Sequence, residues 1–145
     1  GVYKIVPVKE RHSLSLVWQV PSQMDHWRSK PCDYLSHLLG HEAQGSLLAT
    51  LKERGLATTC YVGVDQMESK SSHAVLLFGA SLTIKGMQQW QEIVTLVYQY
   101  IAMLRHYVIS DGGLPDWIFQ ELKQIHQVSY NYQDEEAPED LVENL

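Results

Sequence analysis

A chain of 145 residues with 45% apolar side chains can bury one sizeable core and is read as a single domain. Its formal net charge of −6, from 11 basic and 17 acidic residues, argues against a nucleic-acid or anionic-membrane surface. Two cysteines, Cys32 and Cys60, are too few for a disulfide framework or a four-cysteine metal knot, and no apolar run reaches the roughly 18 residues of a membrane span. The start Gly1-Val2-Tyr3-Lys4 is not a secretory signal, and compartment stays open for what is expected to be a soluble protein. A first residue other than methionine and an end in an acidic run suggest a segment of a longer protein.

Taken in order, residues 2–8 alternate weakly and are predicted as a first strand, with Pro7 demoting its end to an edge or turn. Residues 12–20 alternate clearly, with Leu14, Leu16, Trp18 and Val20 on one face, until Pro21 stops this half-buried strand. A polar loop with His26, Trp27 and Arg28 leads to Pro31, which suits a helix start. There Leu35, Leu38 and Leu39 recur on one helix face, and His37 and His41 sit one turn apart on a neighbouring face. Gly45 permits a break, Ser46 caps a second helix over residues 47–54, and Gly55 ends it.

Residues 57–62 are β-prone, and Gly63 lets backbone or ligand approach closely. Residues 73–82 form a fourth strand, with Val75, Leu77 and Gly79 on one side and Leu76 and Phe78 on the other. Thr83 caps a long helix over residues 84–107, in which Met87, Trp90, Val94, Val97, Ile101 and Leu104 form the core-facing stripe. Asp111-Gly112-Gly113 breaks it, and Pro115 starts a final helix whose buried face is Ile118, Leu122 and Ile125. The order ββααββαα predicts an α+β fold, with helices packed on one face of a mostly antiparallel sheet. Residues 1–133 are read as one such domain, truncated at its C-terminal end. Residues 134–145, acidic throughout and without Lys or Arg, are read as a tail or the start of a missing helical segment.

Chemistry concentrates around His37, His41 and Glu42. Two imidazoles at this spacing can reach one metal ion. The zincin pattern H-E-x-x-H and its inverted form H-x-x-E-H both place the glutamate between the histidines, whereas Glu42 follows His41. A third ligand would have to come from His12, His26, His73, His106, His126 or a distant carboxylate, and no spacing singles one out. On the residues alone the pair reads either as ligands or as polar-face histidines that hydrogen-bond neighbouring backbone. No phosphate loop occurs, and Ser13, Ser15 and Ser46 do not sit in a nucleophile elbow.

Lys30-Pro31, Tyr34-Leu35, His37-Leu38, Gly40-His41-Glu42, Gly45-Ser46-Leu47-Leu48 and Leu51-Lys52 with Gly55 resemble the second domain of insulysin-like zinc metallopeptidases, the pitrilysin and insulinase family. Val6-Pro7-Val8, Leu82-Thr83 with Lys85-Gly86, Tyr98-Gln99-Tyr100-Ile101 with Leu104-Arg105, and Trp117-Ile118-Phe119-Gln120-Glu121 with Lys123 extend the resemblance over nearly the whole chain. It implies an α/β roll that is itself non-catalytic, the zinc of the parent endopeptidase being bound outside this segment. It also implies an exosite for the amino-terminal end of a peptide substrate, at His37, Gly40 and Glu42 on the helix and Cys60, Tyr61 and Val62 on the strand edge. Tyr61 departs from the family's small residues, and Ala43 replaces a glycine. The partners expected are a peptide, the remaining domains of the parent protease and a second copy of the segment. The alternative is a scaffold or protein-interaction domain from an inactive family member.

Overall fold

The structure, a computed structural model, describes residues 1–8, 11–65, 70–110 and 112–134. Alternation after His12 produces β1 (Ser13–Val20), whose even-numbered side chains are half-buried while the odd ones face out. Pro31 stands at the first turn of α1 (Pro31–Gly40), and Ser46 accepts the Ala49 N–H at 3.1 Å to cap α2 (Leu47–Glu53). Gly45 (φ 84°) and Gly55 (φ 66°) take the left-handed turns on either side of α2, where a side chain would be strained. Two strands follow, β2 (Ala57–Val64) and β3 (Ala74–Leu82). They join β1 in an antiparallel sheet of order β1-β3-β2.

One face of that sheet carries the core. Phe78, Ala80 and Leu82 of β3 pack with Leu47 and Leu51 of α2, Leu56, Ala57, and Ile93 and Val97 of a later helix, with Leu14, Leu16, Trp18, Cys60 and Val62 against them. Burying apolar side chains on this face, at about 25 cal/mol per Å², is what holds the helices to the sheet. The α+β class and the antiparallel sheet are as the sequence predicts. The order departs from ββααββαα at its start: residues 2–8 join no strand, and Val2, Tyr3, Ile5, Val6 and Val8 are exposed. Their alternation is too weak to define a buried face, and Pro7 removes a ladder donor.

The long helix expected over residues 84–107 is two, α3 (Ile84–Gln88) and α4 (Trp90–Ser110), separated at Gln89 (φ −113°, ψ 32°). Thr83 does cap the first of them, its Oγ1 accepting the Gly86 N–H at 2.9 Å. A Cβ at Gly86 would run into the Leu56 carbonyl, so α3 is docked backbone against backbone and its direction is set there. The helical phase restarts at Gln89. In consequence the buried stripe of α4 is Ile93, Val97 and Leu104, with Tyr100 and Ile101 beside it, while Met87 is exposed.

By its contacts the chain divides into two units, Gly1–Gly113 and Leu114–Leu145. The second contains α5 (Asp116–Asn131), in which Ile118 and Leu122 are half-buried and Ile125 is exposed, so the expected buried face is not formed. Among the described residues of its unit, this amphipathic helix has no second layer to pack against. Residues 135–145, most of the expected acidic tail, lie outside the described residues. Among the described residues no helix is long and apolar enough to cross a membrane.

Candidate functional site

The geometry of β2 begins with an irregularity. Ala57 pairs with Leu82 and Thr59 with Ser81, so Thr58 is an extra residue, a β-bulge. Without it strict alternation would turn Thr59, Tyr61 and Gly63 inward with Ala57. With it Cys60, Val62 and Val64 stand opposite Ala80, Phe78 and Leu76 on the core side, and Tyr61 stands opposite Gly79 on the outer side.

Among the described strands β2 pairs only with β3, which leaves its other edge open. Asp65 N–H donates to Val75 O at 2.9 Å, and antiparallel alternation then directs the N–H and C=O groups of Cys60, Val62 and Val64 outward along that edge. The end of α1 comes up beside it: a Cβ on Gly40 would stand 3.9 Å from Val62 N. Between them is a cleft of about 530 Å³, lined by Ser36, His37 and Gly40 from α1, His41, Glu42 and Ala43 from the loop after it, and Tyr61 and Val62 from β2.

Five of the six residues expected at the exosite, His37, Gly40, Glu42, Tyr61 and Val62, therefore border one space. The sixth, Cys60, contributes backbone to the strand edge, but its side chain packs on the core and does not line the cleft. Burial pushes the Cys60 thiol above its ordinary pKa, with the Glu42 carboxylate adding to the rise and Lys52 opposing it. It is accordingly a protonated thiol at neutral pH and a poor nucleophile. Ser36 and Ala43 are lining residues that sequence reasoning missed. Ser36 lies one turn before Gly40, so the helical spacing could have found it. Its Oγ is buried without a hydrogen-bond partner among the described residues, which leaves one hydroxyl for a bound molecule to satisfy. Ala43 takes the place of a glycine without a left-handed backbone, since Lys30 is the one non-glycine with positive φ among the described residues.

The field in the cleft favours cations. Glu42 is exposed at its mouth, and α1 ends at Gly40, so the negative pole of the helix dipole lies there as well. The His37 and His41 rings are 5.6 Å apart between centroids and tilted by 55°. Among the described residues no group of three or more His, Cys, Asp or Glu side chains is arranged to hold a metal ion, and the pair with Glu42 does not make such a centre. Behind the cleft, Tyr100 of α4 donates its hydroxyl to Leu38 O at 3.4 Å, tying α1 to the core.

The sequence and the fold are similar to those of known proteins. Over 99% of its length the chain is 32% identical to nardilysin of Homo sapiens and 36% identical to a nardilysin-like protein of Arabidopsis thaliana. Over 94% of its length it is 34% identical to insulin-degrading enzyme of Homo sapiens. A crystal structure of pitrilysin superposes with a TM-score of 0.83 at 25% identity, covering 94% of this chain and 14% of that one. The chain spans only 12–14% of the length of these relatives. Residues 1–126 match the family described as the Peptidase M16 inactive domain, and the chain belongs to that family.

Proposed function

We propose that this chain is a non-catalytic, substrate-anchoring domain of an insulysin-like zinc endopeptidase, holding the amino-terminal end of a peptide in the cleft between α1 and β2. The observation that carries the reading is the meeting of an acidic helix end with an open strand edge in one space. Glu42 and the C-terminal pole of α1 attract the peptide's ammonium, and the outward backbone groups of Cys60, Val62 and Val64 add its backbone as a further strand. Ser36, His37 and His41 offer polar contacts around it. The catalytic zinc of such an enzyme would be bound elsewhere in a longer protein and supply the hydrolytic water there. This chain's residues hold and orient the substrate, which assists the reaction by positioning.

Calorimetric titration of peptides differing only in acetylation of the amino terminus tests the reading. Free-amine peptides bind the wild-type chain more tightly than acetylated ones. Glu42→Gln reduces that advantage by about three- to fivefold, a modest figure because Glu42 is exposed and water screens the pair. Equal affinity for acetylated and free peptides would remove the anchoring role and favour a scaffold that docks a folded partner.

A further inference from the structure

An ammonium group and a peptide backbone are common to every peptide, so neither selects a sequence. Tyr61 is placed to do so. It pairs with Gly79, and a Cβ at Gly79 would run into Tyr61 Cζ, Cε1 and Oη, so the ring occupies space that any other residue at 79 would fill. Drawn back over β3 in this way, the large side chain borders the cleft without closing it, and Gly79 is buried beneath it. The ring lies on the outer face of the sheet, where Val17 is 61% and Tyr61 55% exposed, with Val75 and Leu77 half-buried nearby. None of the three strands contains a charged residue.

Residues paired across neighbouring strands point to the same face. In a peptide added along the β2 edge, the residue that registers opposite Tyr61 therefore shares the face of this ring, beside the uncharged outer surface of Val75 and Leu77, which complements an aromatic group. Resting on the anchoring reading above, we infer that Tyr61, positioned by Gly79, selects peptides with an aromatic side chain at the one position that registers opposite it.

The test is a scan. A free-amine peptide with alanine along its first half-dozen positions is compared with versions carrying a single phenylalanine at each, all titrated into the 145-residue chain. One position binds about three- to tenfold more tightly than the all-alanine peptide. Tyr61→Phe keeps that preference, Tyr61→Ala flattens the scan, and Gly79→Ala, whose methyl displaces the ring, reduces it. Circular dichroism confirms that each variant is folded. A flat scan in the wild-type chain, with preference for free amines intact, overturns the selectivity and leaves anchoring standing. A preferred position that persists in folded Tyr61→Ala overturns the assignment to this residue. Binding indifferent to acetylation overturns both.

Discussion

At its start β2 is gripped by backbone and side chains of α3, whereas three residues later it presents an open edge, and Thr58 lies between the two regimes. Thr83 donates its N–H to Leu56 O at 3.1 Å and its hydroxyl to Gly55 O at 2.7 Å, and Lys85 Nζ donates to Arg54 O at 2.7 Å. These groups satisfy carbonyls that the end of α2 would otherwise leave bare, and Gly86 lets α3 close upon them. Leu56 and Ala57 are buried there. Beyond the bulge the outward backbone of Cys60, Val62 and Val64 pairs with no strand among the described residues, and the end of α1 stands beside Val62. An open edge keeps its register poorly by itself, so the grip at the closed end helps to hold the open end in place.

Breaking the grip has the largest expected effect. Gly86→Ala drives a methyl into the Leu56 carbonyl and costs about 3 kcal/mol, measured by urea denaturation; an unchanged midpoint would show that α3 docks more loosely than the geometry requires. Thr83→Ala removes the cap of α3 and the bond to Gly55 together, for about 1.5 kcal/mol, and Thr83→Ser restores most of it. Deleting Thr58 sharpens the comparison from the other side. The ladder becomes regular with Cys60 and Val62 still facing the core, so only the bond from Thr58 Oγ1 to Ser81 O is lost, about 1 kcal/mol. Thiol labelling of Cys60 then stays slow, and rapid labelling would reveal a slipped register.

The smallest effect is on pH. Burial raises the pKa of Cys60, Cys32 and Tyr100 above their ordinary values of 9.0, 9.0 and 10.0, Asp33 adding to the rise at Cys32 and Glu42 at Cys60, where Lys52 opposes it. The unfolded chain then releases these protons first. Their contribution is complete below about pH 9 and declines as pH rises through the raised folded values. Thermal unfolding from pH 8 upward should show that decline, and Cys60→Ala should shallow it; an identical slope in the variant would remove Cys60 from the account.

Where structure depends on neighbours in sequence, it was legible. Pro31, Ser46 and Gly55 bound α1 and α2, and the alternation of β1 and β3 assigns their faces correctly, because caps and pleats are local. The bulge at Thr58 and the break at Gln89 were not, since the register of β2 on β3 and the docking of Gly86 on Leu56 join residues about twenty to thirty apart in the chain. That limit reached the site too. Whether Cys60 or Tyr61 faces the core depends on the bulge, so the strand edge was identifiable through the family resemblance, while which side chain enters the cleft was not.

The strand order β1-β3-β2 also governs how the sheet can be assembled. β3 is the middle strand and the last of the three in the chain, so neither outer strand has a partner until it emerges. β2 needs a loop of residues 65–73 to reach β3, whereas β1 must close over residues 21–73, an added entropic cost of about 1.5 kcal/mol. The β2–β3 hairpin, with the cleft edge already on it, should therefore form before β1 docks and completes the sheet. Refolding watched by hydrogen exchange should protect the β2–β3 amides ahead of those that pair β3 with β1.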